Sequence, residues 1–264
     1  MMARAMWKAQ LALGDVEIPV KLYAAVQDRD VHFRLLHAKD RVPVKQRMVD
    51  PRSGEEVAPE AVRRGVEIDS GLFVVLGDDD LAAAEPEASR TIEVRRFVPR
   101  AAIDLSFYAR PYFLGPDGAQ ACADYFALAA AIGDGERVGV AHWVMRKKRS
   151  FGALVARGPH LALVTLRSAD EVVAAGQLPQ PGGSEIRAAE RALAEQLVAA
   201  LDAPFDPAQL RDEYRERVEA LIEAKAAGRK PKLPKEAAPP KPSGDLAAVL
   251  KRSLAAAKES RRAA

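Results

Sequence analysis

The chain has 264 residues, 48% of them hydrophobic, and a formal net charge of +3. This length suits one large domain or two small ones with an appendage, and the lack of any apolar run of about 18 residues excludes a membrane-spanning helix. A single cysteine, Cys122, excludes an intrachain disulfide and a thiolate zinc site and indicates a reducing compartment.

The charge is divided unequally along the chain. Residues 225–264 contain eleven basic and three acidic residues, so they carry +8 and leave −5 for residues 1–224. A segment rich in Lys, Pro and Ala buries little apolar surface, but it can neutralise a polyanion and release its counterions. The charge pattern therefore predicts a nucleic acid as the partner.

Alternating apolar residues predict strands in the first two thirds of the chain. From Val16 to Leu22 every second side chain is apolar and shares one face, and Pro19 favours an edge position or a bulge there. Further strands are predicted at residues 72–76, 91–98, 137–145 and 161–166, with residues 150–167 forming a hairpin that turns at 157–160. The fold class predicted is mixed β and α, mainly β.

The alternation stops between residues 40 and 70. This segment holds several prolines and glycines and few large apolar residues, and an excursion of about 30 residues with so little core material is often functional. Its cations are predicted to bind DNA: Arg41, Lys45, Arg47, Arg52, Arg63 and Arg64.

Helices are predicted later in the chain. An Ala-rich stretch spans residues 119–132, Ser184 caps a helix that runs to about residue 201, and Asp206 caps another that runs to Lys225. After a Lys- and Pro-rich linker, Asp245 caps a last short helix. Because its apolar face is too small to fold alone, this helix is either frayed or docks into a groove of another protein. The residues of that face, predicted to bind a partner, are Leu246, Val249, Leu250 and Leu254.

Catalysis is not indicated. The four histidines are scattered and lie in no metal-binding or nucleophile motif. Asp78, Asp79 and Asp80 follow Gly77 as a helix start would, and Cys122 has no basic neighbours and is predicted to be buried and inert. We therefore expect a protein that is not an enzyme and uses no cofactor or metal.

Four consecutive cations, Arg146, Lys147, Lys148 and Arg149, follow a predicted strand. Their mutual repulsion is tolerated in a solvated turn or beside a polyanion, and the basic excursion and tail favour the second interpretation. Such charges would contact phosphates rather than read bases. Lys230, Lys232 and Lys235 of the tail complete the predicted DNA-binding set.

Short motifs between residues 5 and 225 together resemble the bacterial Ku proteins of non-homologous end joining. They begin with Ala-Met-Trp-Lys at residues 5–8 and Ile-Pro-Val-Lys-Leu-Tyr at 18–23. They continue at residues 33–37, 90–94, 97–99, 103–104 and 112–114 and close at 205–207, 211–214 and 221–225. Residues 244–254 are similar to a short C-terminal motif that many bacterial members carry.

The resemblance implies a Ku-type β-barrel core at residues 1–227 and a flexible basic tail at 228–264. Within the core it implies an inserted bridge at about 40–70 and a helical C-terminal arm at about 184–227. Some relatives carry paired cysteines in the bridge, where residues 48–54 of this chain have none, so no metal is expected there. Residues 146–149 lie where a strand end or turn could face the DNA.

The function implied is a homodimeric ring that threads onto double-stranded DNA ends without sequence preference. The ring protects the ends and recruits an ATP-dependent end-joining DNA ligase of the ligase D type. Two alternatives remain open: a tail-driven DNA-binding adaptor without end dependence, and a basic-tailed chromatin protein. The N-terminus has no apolar stretch typical of a secretory signal, so we expect a cytoplasmic protein associated with the nucleoid and no membrane partner.

Overall fold

The computed structural model describes residues 4–134, 136–179, 182 and 187–229. These fall into two compact units, one within Met1–Asp28 and Arg34–Gln177 and the other within Arg29–Phe33 and Leu178–Ala264. Several residues for which the sequence predicts a role lie outside the described part. They are the helix cap Ser184, the DNA-binding candidates Lys230, Lys232 and Lys235, and the partner-binding candidates Leu246, Val249, Leu250 and Leu254.

The first unit is built on a closed seven-stranded barrel. The strands of the unit are β1 Trp7–Leu13, β2 Val16–Ala24, β3 Arg64–Asp69, β4 Leu72–Leu76, β5 Thr91–Pro99, β6 Tyr108–Pro116, β7 Arg137–Met145, β8 Lys148–Arg157 and β9 His160–Leu166. The order around the barrel is β1-β2-β6-β9-β8-β7-β5, and β3 and β4 form a separate two-stranded sheet. All neighbours in the barrel are antiparallel except β1 and β5, whose parallel pairing closes it.

The barrel interior is filled by alternate side chains of its strands, as a period of two requires. Trp143 is the largest of the fully buried side chains, and a Cβ placed on Gly152 would lie only 2.7 Å from its ring. Only glycine therefore fits at that position of β8. The other large buried side chains include Leu11, Val20, Leu22, Ile92, Leu114, Leu154, Leu161 and Leu163.

Helix α2, Cys122–Asp134, packs against the barrel through Tyr125, which is fully buried. Its hydroxyl donates to the carbonyl oxygen of Leu114 at 2.5 Å and accepts from the backbone N–H of Leu161 at 2.8 Å. Leu114 and Leu161 are cross-strand partners in β6 and β9, so the hydroxyl links two backbone groups of that ladder. Burial raises the pKa of the Tyr125 phenol.

The structure confirms the predicted fold class and places strands at each predicted position. Two barrel strands, β1 and β6, were not predicted. Strand β6 contains Pro111, Gly115 and Pro116, and its pairing with β9 shifts register between Tyr108 and Pro111. Residues 64–69, expected to be irregular, form β3, whose partner β4 was predicted. A hairpin partner is hard to see in a sequence with so few apolar residues.

The second unit contains helices α3, Ala188–Leu201, and α4, Glu213–Ala226. The prediction of one helix starting at Asp206 is wrong. Asp206 accepts from the N–H of Ala208, but it caps only a short 3-10 turn, because Leu210 leaves the helical conformation at ψ 75°. Asp212 provides the cap of α4 by accepting from the N–H of Arg215 at 2.9 Å. No helix of the described residues is long and apolar enough to span a membrane.

Candidate nucleic-acid interface

The segment between β2 and β5 contains the cationic excursion of residues 40–70. Local hydrogen bonds, rather than a hydrophobic core, order its loops. Its first loop is closed by the N–H of His37 donating to Val42 at 2.9 Å, and its second by the N–H of Val57 donating to Met48 at 2.9 Å. Both loops consist of exposed residues with few exceptions. The predicted cations of this segment are all exposed, as phosphate contact requires.

Side-chain oxygens shape the second loop. Asp50 Oδ1 accepts from the N–H of Arg52 at 2.8 Å, and Ser53 Oγ accepts from the N–H of Glu55 at 3.2 Å. Gly54 completes the turn at a φ of 73°, a conformation that favours glycine. Short polar side chains therefore stabilise this loop and place Arg52 in its turn.

The six cations of the excursion differ in their bonding. Arg47 Nη1 lies 2.7 Å from Glu56 Oε2, and Arg63 Nη1 donates to the carbonyl oxygens of Glu60 and Val62. Within the described residues, the side chains of the other four make no hydrogen bond or ion pair: Arg41, Lys45, Arg52 and Arg64. These four can pair with phosphates without first breaking a bond.

The run at residues 146–149 does not form one surface. Arg146 and Lys147 are the two turn residues of the β7–β8 hairpin, with φ of 52° and 65°, which is the arrangement of a two-residue type I′ turn. Lys147 Nζ lies 2.8 Å from Glu85 Oε1. Lys148 and Arg149 begin β8, and Arg149 lines a groove with Arg95 and Arg96 of β5.

Arg95 and Arg96 were missed by sequence reasoning. They lie in a predicted strand, where two consecutive exposed residues break the alternation, and β5 shifts register against β7 between Val94 and Arg96. Two consecutive arginines within an alternating strand pattern indicate a β-bulge, which can turn neighbouring side chains to the same face. That pattern was the sequence feature from which both residues could have been predicted to lie together.

The structure shows the surroundings of the acidic cluster at residues 78–80 and of the single cysteine. Asp80 Oδ2 accepts from the N–H of Gly77 at 2.8 Å, and α1 spans Asp78–Ala83, which confirms the predicted helix start. The prediction that Cys122 is buried is wrong: it is half-buried at the start of α2, with Sγ 3.5 Å from the carbonyl oxygen of Gly118. Among the described residues, no three His, Cys, Asp or Glu side chains are arranged to hold a metal ion.

The fold and the cation pattern together define a closed β-barrel protein with an inserted cationic, core-poor excursion. Residues 12–197 match the family model of the Ku70/Ku80 beta-barrel domain. The chain is 38% identical to the non-homologous end joining protein Ku of Anaeromyxobacter sp. (strain K), over 97% of this chain and 87% of the relative. It is 36% identical to the protein of that name from Heliobacterium modesticaldum, over 86% and 83% of the two chains. A third relative of that name, from Archaeoglobus fulgidus, is 34% identical over 86% and 89%.

This chain therefore belongs to the Ku family, which confirms the resemblance seen in its motifs. The family model covers most of the barrel and the whole excursion. The roles of individual cations are not given by this match, so the DNA-binding and partner-binding residues remain predictions.

Proposed function

We propose that this protein is a homodimeric ring that threads onto double-stranded DNA ends during non-homologous end joining. The observation that carries the proposal is the excursion, which presents four exposed cations without partners among the described residues. Membership of the Ku family supports the same function, since the relatives are named for non-homologous end joining. The ring would protect the end and act without catalysis.

Binding without sequence preference follows from the kind of contacts available. The free cations lie on loops and on a hairpin strand, and guanidinium and ammonium groups on such elements pair with phosphates. Each phosphate neutralised on duplex DNA contributes about −0.9 to the slope of log affinity against log salt. We expect the affinity to depend steeply on salt and little on base sequence.

A second copy of the chain is supported by the exposed hairpin β3–β4. Ile68, Phe73 and Val75 are 61%, 57% and 59% exposed, and successive residues of β4 place apolar side chains on both faces of the hairpin. A two-stranded sheet is marginally stable by itself, so its apolar faces require cover. A homodimer supplies that cover through the same residues on each protomer.

Ligase recruitment is proposed for the predicted last helix of the C-terminal tail, which lies outside the described part of the chain. Replacing Leu250 and Leu254 by Asp is expected to reduce ligase stimulation and to leave DNA binding unchanged. Loss of both activities would instead show that the last helix is needed for the fold.

Competition binding tests the ring directly. Labelled linear duplex is bound at near-physiological salt and challenged with equal masses of linear and covalently closed circular DNA. We expect only the linear competitor to displace the label, because a closed ring must load from an end. Equal competition would refute end threading.

The alternative function is a tail-driven adaptor that grips DNA from the side. It is favoured by the +8 charge of residues 225–264. Deleting residues 228–264 distinguishes the ring from the adaptor. A ring is expected to lose affinity for DNA at low salt and to keep its dependence on DNA ends. An adaptor is expected to lose DNA binding altogether. Either protein is expected to act in the cytoplasm, in association with the nucleoid.

A further inference from the structure

A groove lies at the rim of the barrel, where the connection from α1 enters β5. It has a volume of about 600 Å³ and lies between the start of β1, the turn of the β7–β8 hairpin and the connection at residues 82–90. We call it the rim groove. Its lining includes Trp7, Pro86, Arg90, Val144, Met145 and Arg146.

The strand register opens this groove. Strand β1 begins at Trp7, but its parallel pairing with β5 covers only Gln10–Ala12. The N–H of Gln10 donates to the carbonyl oxygen of Arg90 at 2.8 Å, so Lys8, two residues earlier, directs its own N–H and C=O to the same side. The pairing with β5 leaves Lys8 without a partner on that strand. The groove therefore contains a short strand edge as well as side chains.

The floor of the groove is apolar. Trp7 and Met145 are partly buried and pack against the main core of the barrel. Val144 and Pro86 are also only partly exposed. Because the core holds these side chains in place, the floor is pre-formed, and burying a large apolar side chain of a ligand on it is favourable.

The rim of the groove is cationic. Arg90 and Arg146 are exposed, and their side chains have no hydrogen-bond or ion-pair partner within the described residues. Glu85 also lines the groove, but its Oε1 lies 2.8 Å from Lys147 Nζ, so its charge is already balanced. The groove therefore presents two free guanidinium groups around an apolar floor.

The turn that carries Arg146 has an unfavourable backbone conformation. Arg146 and Lys147 have φ of 52° and 65°, whereas two-residue type I′ turns favour Asn and Gly at these positions. Strain of this kind concentrates at functional sites. The ion pair with Glu85 accounts for Lys147, whereas no contact of Arg146 within the described residues accounts for it.

We infer that the rim groove binds an acidic peptide segment of a protein partner, with a large apolar side chain on the floor and carboxylates at Arg90 and Arg146. Guanidinium and carboxylate groups pair through two parallel hydrogen bonds, and the strand edge at Lys8 can bond to the peptide backbone. Arg146, which the sequence predicts to contact phosphate, here pairs with a carboxylate. This inference goes beyond the proposed function, because neither end threading nor the C-terminal tail is part of it.

A nucleic acid is a poorer fit to the same groove. Duplex DNA stacks its bases inside and turns its phosphates outward, so it has no apolar group that reaches the floor. An unpaired base needs an aromatic ring on which to stack, and Trp7 is packed against the core. The strand edge at Lys8 matches the N–H and C=O groups of a peptide backbone, which a nucleic acid lacks.

The first test titrates the full chain with the capped peptide Glu-Glu-Leu-Leu-Glu-Glu and follows tryptophan emission. The chain has two tryptophans, Trp7 in the groove and Trp143 buried inside the barrel. We expect the peptide to change the emission of the wild type but not that of Trp7→Phe. Two control peptides, Glu-Glu-Ser-Ser-Glu-Glu and Lys-Lys-Leu-Leu-Lys-Lys, are expected to cause no change, because one lacks the apolar side chains and the other the carboxylates. An unchanged emission with the acidic leucine peptide would overturn the inference.

The second test removes the two free cations. In Arg90→Ala/Arg146→Ala the affinity for the dye-labelled acidic leucine peptide, measured by fluorescence anisotropy, is expected to fall about tenfold, as the loss of two exposed ion pairs gives. The matched control is Arg137→Ala/Arg157→Ala, which removes two exposed arginines from the far end of β7 and β8. The control is expected to keep the wild-type affinity, and circular dichroism establishes that both variants are folded.

A pair of variants at Ala88 predicts changes of opposite sign. Ala88 is exposed and lines the groove, so a charged side chain there leaves the core intact. Peptide affinity is expected to fall about threefold in Ala88→Glu and to rise about threefold in Ala88→Lys, as Coulomb's law gives for a charge about 7 Å away in water. Equal losses in both variants would mean that charge does not select the peptide, and the assignment of an acidic partner would be wrong.

The outcomes separate this inference from the proposed function. Wild-type peptide affinity in Arg90→Ala/Arg146→Ala would overturn the rim groove as a peptide site, while selection of linear DNA would still decide the ring. If oligothymidylate changed the Trp7 emission and the acidic peptide did not, the groove would bind unpaired nucleotides and the inference would be wrong. A changed sedimentation coefficient of Arg90→Ala/Arg146→Ala would show an interface between copies of the chain and would equally overturn it.

Discussion

The bonding of the excursion predicts which of its cations contribute to DNA affinity. The variant Arg52→Ala/Arg64→Ala removes two arginines. Their side chains have no partner among the described residues. Both are exposed, so their loss removes phosphate contacts without breaking an internal bond. The salt slope is expected to fall in magnitude by about 1.8 for each chain, or about 3.6 for a homodimer that uses both copies.

The matched control removes a cation that is already engaged. Arg47→Gln/Glu56→Gln deletes the exposed 2.7 Å ion pair of the same excursion and leaves the net charge unchanged. Exposed pairs contribute about 0–1 kcal/mol to stability, so the loop is expected to persist. Because the variant removes one positive and one negative charge from the same pair, the net charge facing DNA is unchanged, and this variant is expected to keep the wild-type slope.

Fluorescence anisotropy on two duplexes of unrelated sequence, titrated over a series of salt concentrations, measures both slopes. Equal losses on the two duplexes are expected for Arg52→Ala/Arg64→Ala, since phosphates carry no sequence information. An unchanged slope in that variant would refute phosphate contact by the excursion. A loss in Arg47→Gln/Glu56→Gln would show that Arg47 exchanges Glu56 for DNA.

Three further predictions concern the barrel. Tyr125→Phe leaves a buried carbonyl and a buried N–H without the hydroxyl that links them. The free energy of unfolding, measured in urea, is therefore expected to fall by about 1–3 kcal/mol. The control Tyr214→Phe changes an exposed side chain and is expected to leave the free energy of unfolding unchanged. Gly152→Ala forces a Cβ against the Trp143 ring, so the free energy of unfolding is expected to fall by about 1–3 kcal/mol and the tryptophan emission to shift to the red. The control Gly176→Ala places its Cβ in open space and is expected to leave both unchanged. Hydrogen bonds from Lys21 and Lys8 hold the pKa of Asp117 below its usual value of 3.8, so this carboxylate stabilises the fold above that value and loses its contribution as the pH falls through the lowered pKa. Asp117→Asn should accordingly be less stable than wild type at pH 7, and acid titration of the unfolding free energy should show the difference shrinking.

The outcomes that would contradict these predictions are distinct. A Tyr125→Phe protein as stable as wild type would mean that Leu161 and Leu114 bond directly once the hydroxyl is gone. An unchanged emission spectrum in Gly152→Ala would mean that the indole moves without losing burial. A pH-independent difference for Asp117→Asn would show that the lysine contacts act through packing and not through charge.

Local sequence patterns determined much of this protein. The alternation in β2, β5 and β7, the turn at residues 157–160, the Ala-rich helix α2 and the cationic excursion are all properties of neighbouring residues. Such properties can be read from the sequence because side-chain period and turn chemistry act over a few positions. The motifs that resemble the Ku family rest on the same local information.

The capping of the arm helix shows where local reasoning fails even at short range. Asp206 and Pro207 form a good helix start, and Asp206 does accept from the N–H of Ala208. The helix nonetheless begins at Glu213 with Asp212 as its cap. Asp206 and Asp212 are both suitable cap residues, and the sequence does not show which of them precedes the long helix.

Only the tertiary structure decided how the barrel closes and which charges remain free. The parallel pairing of β1 with β5 joins residues about eighty positions apart, and Lys147 meets Glu85 across 62 positions. Strands β5, β7 and β8 must likewise pair in register before Arg96 and Arg149 come to lie on either side of His142. A sequence shows which residues carry charge, but an arginine's availability to DNA depends on the acid or carbonyl that the fold brings to it.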